Sequence, residues 1–345
     1  MIAGLNKRSA LTLTLLATAA CPAAAQEKIS LRLAESLPAG HVIHELVAKP
    51  FMELVTKGTN GQVTFQEYPA EQLGKAKDMA QLTSVGVADL AYIVPSYSSD
   101  KFPLTAVAEL PGIFETECQG SLAFYKISHN GGILEGKEFA PNGLRPLVTI
   151  ALPAYQIQLA NSRVIKTAKD LEGLKIRTTG GAMDLMMRSI NGVPVRMAAP
   201  EIYESLTRGT LDGLIFSYQS SVSYDFGKIL KSGTEGLNFG TAIFTYSMGE
   251  AKFKSLPENV RKVLVEAGEQ TTREGCKRFE DGEKAATEKI KSQGMKVIEF
   301  GPDDKKLFAA SFKNVAEEWV KDVDKRGKPG TEVFKAFTEA LAASH

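Results

Sequence analysis

Arg177 is the residue in this sequence whose type and setting best suit chemistry. It stands near the exit of a strand-like run, Leu174–Thr178, and Gly180 and Gly181 follow it. A guanidinium at a strand exit can hold a carboxylate through two parallel N–H···O bonds. The two glycines open a helical pattern over Ala182–Ile190, whose first N–H groups and positive dipole end would favour an anion. An ion pair between Arg177 and an acid elsewhere in the chain fits the spacing equally well.

The other reactive residues assemble less. His41, His44 and Glu45 share a helical face, as metal ligands can, but His129 and His345 are isolated and no second cluster completes a site. His41 is read instead as standing at a helix start near a cleft. Glu115 and Glu117 fall on a turn-rich surface where acids are solvated. No GxSxG, P-loop, GxGxxG or HExxH pattern occurs, and nothing sets a nucleophile beside a base. The chemistry points to binding rather than catalysis, with no cofactor and no metal.

Arg177 must be positioned by a βαβαβ pattern that runs from Gly173 to Ser217. Asn191–Gly192 stops the first helix, Val193–Met197 reads as a strand, and Pro200 opens a short helix with Ile202, Tyr203 and Leu206 on one face. Gly209 ends it before strand Leu211–Phe216. The same order occurs earlier: strand Ile29–Ala34, helix His41–Lys57, a stop at Asn60–Gly61, strand Gln62–Tyr68, helix Lys75–Val85 and strand Leu90–Val94. Both copies enter their third strand through a GxxD, Gly86–Asp89 and Gly209–Asp212. The class is therefore α/β, with two hinged lobes and a cleft where their strand C-termini face each other.

Residues 26–150 are expected to form the first lobe, joined by part of 240–345, and residues 151–239 the second, with part of the C-terminal helices. Between the copies, Tyr97, Phe102–Leu104 and Leu110–Phe114 form a turn-rich apolar stretch expected to line the cleft or pack beneath it. Gln119–Ser128 reads as a helix, and Leu144–Ala151, Tyr155–Ala160, Gly240–Met248 and Met295–Glu299 as strands. A long helix over Pro257–Lys291 carries the stripe Val260, Val263, Leu264, Ala267 and Thr271, which suits packing across both lobes and also a dimer contact. A last amphipathic helix covers Leu307–Val323.

With 345 residues, 43% hydrophobic and 23% charged, the chain has ample core for two domains. Lys7–Arg8, the apolar run Ser9–Ala20 and Ala23-Ala24-Ala25 before Gln26 read as an export signal cleaved after Ala25. Removing it takes away two bases and no acid, moving the formal charge from +1 to −1. That balance gives no footing for nucleic acid. No later run approaches the roughly 20 apolar residues of a membrane helix, so the protein is not expected to be membrane-embedded. Cleavage would leave Cys118 and Cys276, which an oxidising compartment could pair or which could stay as buried thiols.

Phe65–Gly74 (FQEYPAEQLG), Gly86–Leu90 (GVADL), Phe102–Leu104 (FPL), Leu110–Phe114 (LPGIF), Asp170–Arg177 (DLEGLKIR) and Ala199–Gly213 (APEIYESLTRGTLDG) together resemble the periplasmic substrate-binding proteins of TRAP (tripartite ATP-independent periplasmic) transporters, dicarboxylate-binding type. The resemblance covers nearly the whole mature chain. It implies a periplasmic receptor that closes on an organic acid and delivers it to membrane permease subunits. It also implies that Arg177 clamps the ligand carboxylate.

Relatives that bind sugar acids often carry a second arginine where this chain has Ile157, between Gln156 and Gln158, and an asparagine at the place of Phe216; Val94 stands where they can have an acid. The surroundings of the clamp have become apolar. Tyr155, Tyr92, Phe216 and Phe244 are candidates to enclose a ring or alkyl chain, with Ser36, His41, Gln156, Ile157, Val94 and Ala199 as further cleft positions. A hydroxyl on the ligand would be expected to lack partners there, at roughly 1–3 kcal/mol each. The expected ligand is an aromatic or short aliphatic acid. A two-lobed periplasmic enzyme and a ligand sensor for a receptor are the alternatives.

Overall fold

A computed structural model of the chain describes Met1, residues 27–160 and residues 164–344. The export signal read at residues 1–25, with its cleavage site, lies outside them apart from Met1. The first sheet has five strands in the order β2-β1-β3-β10-β4, and the second has six in the order β11-β9-β5-β8-β6-β7. These are β1 (Ile29–Ala34), β2 (Val63–Tyr68), β3 (Leu90–Ile93), β4 (Leu144–Ala151), β5 (Gln156–Leu159), β6 (Lys175–Thr178), β7 (Val193–Arg196), β8 (Gly213–Phe216), β9 (Ser232–Glu235), β10 (Ile243–Gly249) and β11 (Lys296–Glu299). Helices flank each sheet, so the chain forms two α/β lobes.

The internal repeat is real. In the first lobe β1 is the central strand of a parallel trio, pairing with β2 and β3; in the second, β6 pairs with β7 and β8 in the same way. Asn60 and Asn191, at the two helix stops, adopt φ of 50° and 59°, the left-handed geometry that asparagine tolerates better than most residues. The two GxxD aspartates do the same work. Asp89 accepts the backbone N–H of Arg32 in β1 at 2.9 Å, and Asp212 accepts that of Lys175 in β6 at 2.8 Å. Each carboxylate satisfies a central-strand donor while the preceding loop turns inward.

The chain crosses between lobes from β4 to β5, from β9 to β10, and again through the helix Glu258–Ser292 to β11. That helix has 35 residues and spans roughly 52 Å at 1.5 Å per residue. It packs on helices Lys49–Gly58 and Glu117–Ser128 and on β4 in the first lobe, and on helix Tyr218–Ser223 in the second. Its approach to β4 is close, because a Cβ on Gly268 would stand 2.1 Å from the Leu147 carbonyl oxygen. The same helix is tied to the first lobe by a disulfide between Cys118 and Cys276, so the buried-thiol alternative does not hold. Helix Pro302–Lys325 then packs on helix Ala182–Ser189, and helix Gly330–Ala342 returns to Glu117–Ser128. Among the described residues, no helix is long and apolar enough to cross a membrane.

Candidate functional site

Arg177 lies in β6 between Val195 of β7 and Leu214 of β8 and is 0% exposed. Its Nε donates to the Met197 carbonyl at 2.9 Å and Nη2 to the Tyr97 hydroxyl at 3.3 Å. That hydroxyl also accepts the Ala199 N–H at 3.1 Å, so Tyr97 of the first lobe bridges two groups of the second. Nη1 is buried with no partner in the protein. The guanidinium carbon stands 5.2 Å from the centre of the Phe216 ring and 5.9 Å from that of Tyr97, within cation–π range.

Among the described residues no carboxylate pairs with Arg177 within 4 Å. Glu109 does feel its charge. Burial pushes the Glu109 carboxyl up to about 8, against the pull of the Ile243 N–H and Arg177. Glu109 is therefore largely neutral near pH 7 and is no counter-ion. A buried cation without a paired anion is costly, and the spacing-level alternative of an internal ion pair finds no acid to fill it among the described residues.

Between the lobes, lined in part by the Phe216 and Tyr97 side chains that pack on this guanidinium, lies a cavity of about 10 Å³. That is roughly the room of one water molecule, so a ring can enter only if the walls separate. The first lobe contributes Leu37, His41 and Ile43 after β1, Tyr92 and Val94 at the end of β3, and Tyr97 just beyond. The second contributes Ala199 after β7, Phe216 at the end of β8, and Ser220 and Tyr224 on and just after the following helix. Leu152, Tyr155 and Ala242 come from the crossings between lobes. The walls thus gather at strand C-termini of both parallel trios, where open sheets hold ligands.

His41 is 1% exposed. Its Nδ1 accepts the Ile43 N–H at 3.2 Å, and its ring meets that of Tyr224 edge-on with centroids 4.8 Å apart. Burial, with a smaller contribution from the charge of His44, lowers its pKa to about 3, so the ring is neutral. His44 turns elsewhere. Its Nδ1 is 2.7 Å from Glu35 and its Nε2 is 3.4 Å from Glu67, and the Glu35 hydrogen bond raises its pKa. The two histidines do not converge. Among the described residues no group of three or more His, Cys, Asp or Glu is placed to hold a metal ion.

Of the expected site residues, His41, Tyr92, Val94, Tyr155, Ala199 and Phe216 line the cavity together, and Arg177 lies against its Phe216 and Tyr97 walls. Arg177 itself is not a lining residue, and four more of the expected residues lie away from the cavity. Phe244 stacks behind Tyr92, with centroids 5.2 Å apart. Ile157 sits in the core as the register partner of Ile215. The Gln156 amide donates to the Leu237 carbonyl at 2.6 Å and accepts from Thr234. Ser36 is buried beyond β1. A strand alternates faces, so Ile157 and Ile215, next to Gln156 and Phe216 in their strands, turn to the opposite side.

The helix start at Gly180–Gly181 also faces elsewhere. Gly181 lines a separate surface groove with Ser99, Ala106 and Asp184, and the dipole end is met from within by Asp184, which Arg196 and Thr178 hold. Tyr97, expected in the apolar stretch that lines the cleft or packs beneath it, does line the cavity, but sequence reasoning gave it no part in holding Arg177 and gave no role to Tyr224. It also gave none to Leu37, Ile43, Leu152, Ser220 or Ala242. Position beyond a strand C-terminus was the available signal for Tyr97. The walls are also not wholly apolar, since His41 Nε2 and the Tyr224 hydroxyl are both buried and unpartnered.

Residues 33–322 match the family model of bacterial extracellular solute-binding proteins, family 7. A solute-binding protein of Chromohalobacter salexigens is 29% identical over 280 residues, 79% of each chain. The chain is also similar in structure to a TRAP solute-binding protein from Rhodoferax ferrireducens in complex with copurified benzoate. The TM-score is 0.85 at 23% identity, covering 92% of this chain and 98% of that one. A TRAP periplasmic solute-binding protein from Bordetella bronchiseptica with bound (R)- and (S)-mandelate gives a TM-score of 0.83 at 22% identity, covering 92% and 100%. At these identities the structural likeness shows the fold.

Proposed function

The chain belongs to family 7 of the bacterial extracellular solute-binding proteins, the substrate-binding proteins of TRAP transporters, and from that premise we propose that it captures an aromatic or short aliphatic carboxylic acid at Arg177 and hands it to a membrane permease. TRAP solute-binding proteins of this family are periplasmic. We place this chain there after removal of the signal at residues 1–25.

One observation carries the reading. The Arg177 guanidinium is buried between Phe216 and Tyr97 with Nη1 unpartnered, so an incoming carboxylate supplies the missing anion and the missing acceptor. Lobe closure removes water from that pair, and lower effective dielectric strengthens it. The aromatic and aliphatic walls favour a largely apolar body, and the benzoate and mandelate held by the two structural neighbours are acids of that kind. Nothing in the cavity pairs a nucleophile with a base, so a bound acid leaves unchanged.

Calorimetry with benzoate, mandelate, short aliphatic acids and a sugar acid tests this reading. It expects binding of the first three classes with weak or no binding of the sugar acid. Tight binding of the sugar acid alone would overturn it.

A further inference from the structure

Two polar atoms in the cavity walls find no partner in the protein: Nε2 of His41 and the hydroxyl of Tyr224. Buried polar atoms are satisfied in the great majority of folded proteins, so two unsatisfied ones in the walls of one cavity call for an explanation. The Nδ1 of His41 already accepts the Ile43 N–H, which leaves the proton of the neutral ring on Nε2 as a donor. The Tyr224 hydroxyl can donate or accept. The Ser220 hydroxyl accepts from that of Ser217 at 2.9 Å, and the phenols of Tyr92 and Tyr155 line the same cavity.

These atoms lie away from the guanidinium. Arg177 stands 5.2 Å from the Phe216 ring, Phe216 is 6.1 Å from Tyr224, and Tyr224 is 4.8 Å from His41. The Phe216 ring thus packs on both the cation and Tyr224.

We infer that the cavity recognises an acid bearing, besides its carboxylate, a second, uncharged oxygen, a hydroxyl or carbonyl, held by His41 Nε2–H and the Tyr224 hydroxyl. The inference rests on Arg177 as the carboxylate clamp. The charge state of the second oxygen follows from the neighbourhood. Burial first, then Tyr97 and, more weakly, Glu71 and Glu35, keep the Tyr224 hydroxyl protonated against the opposing pull of Arg177. A neutral imidazole and a phenol offer hydrogen bonds without a charge to match one.

The test is calorimetry of the mature protein with benzoate, 3-hydroxybenzoate, 4-hydroxybenzoate and benzene-1,4-dicarboxylate. One of the two hydroxybenzoates is expected to bind about tenfold tighter than benzoate, as one added buried hydrogen bond allows. The dicarboxylate is expected to bind weakest. In Tyr224→Phe and in His41→Leu the ratio between that hydroxybenzoate and benzoate is expected to fall toward one. If His41→Leu does not fold, the Tyr224→Phe ratio decides. Benzoate binding at least as tightly as both hydroxybenzoates would overturn the inference and leave the clamp standing. An unchanged ratio in the variants, or tightest binding of the dicarboxylate, would do the same. No binding of any acid would overturn the clamp and the inference together.

Discussion

The guanidinium of Arg177 faces the ring of Phe216 at 5.2 Å, and no carboxylate among the described residues answers its charge. Phe216 ends β8 and Arg177 lies in β6, neighbouring strands of the second lobe. The ring partly compensates the buried cation and forms a wall for the ligand, so it acts in both states of the protein. Exchanging the ring for an aliphatic side chain of similar volume, Phe216→Leu, should weaken benzoate binding about three- to tenfold, the roughly 0.5–1.5 kcal/mol of an aromatic or cation–π contact. Calorimetry beside a thermal melt checks this, with the melt showing whether the fold has survived.

Tyr97 gives a second prediction. Its hydroxyl joins the Arg177 side chain and the Ala199 N–H at 3.3 and 3.1 Å. Tyr97→Phe leaves both donors without that acceptor, which costs about 1–3 kcal/mol for a buried group. The loss should fall on the form in which the lobes are together. Small-angle scattering of the variant should report a larger radius without ligand, and an unchanged radius would show that Tyr97 does not hold the lobes.

Much of this was legible beforehand because it is written in local backbone chemistry. The Asn-Gly stops, the GxxD entries and the alternation of apolar runs fixed both parallel trios to within a few residues. Strand β9 was not read, because Ser232-Gly233-Thr234-Glu235 has no apolar pattern and exists only through its pairing with β5 and β11. Helix Gly330–Ala342 was also passed over, although Val333, Phe337 and Leu341 form a buried stripe. In the site, strand-end position found Tyr92, Val94 and Phe216. It did not find Tyr224, whose place depends on the turn after a short helix. Ser36, Gln156, Ile157 and Phe244 do not line the cavity, because sequence proximity to the cleft does not say which way a side chain points.

The buried Glu109 makes stability depend on pH. Its carboxyl titrates at about 8 in the fold, raised mainly by burial from the 4.5 of an exposed side chain. Between those values the folded state holds a proton that the unfolded state has lost. This contribution is complete below pH 4.5 and declines as pH rises toward 8, at up to about 1.4 kcal/mol per unit. Compared with Glu109→Gln, the native protein should lose stability from pH 5 to 8, measured by urea unfolding at a series of pH values. Parallel curves would show that Glu109 does not titrate in that range.

The Cys118–Cys276 bond closes a sequence separation of 158 residues and fastens the long helix to the first lobe. The double substitution Cys118→Ser, Cys276→Ser should cost about 2–4 kcal/mol, seen as a lower Tm. Reductant should lower the native Tm toward that of the variant and leave the variant unmoved.

Gly268 permits the long helix to touch β4, because a Cβ there would lie 2.1 Å from the Leu147 carbonyl oxygen. Gly268→Ala should destabilise the protein by about 1–3 kcal/mol through overpacking, despite alanine's better helix propensity. Denaturant unfolding measures the sign directly.

Arg177→Met keeps an unbranched, flexible stem and removes the guanidinium with its charge and donors. Calorimetry of this variant with benzoate, set against the native protein, should show binding weakened a hundredfold or more, since removing one partner of a buried ion pair costs about 2–5 kcal/mol. Its Tm should hold or rise, because an unpaired buried cation has gone. A folded Arg177→Met protein that takes benzoate with native affinity would contradict the account.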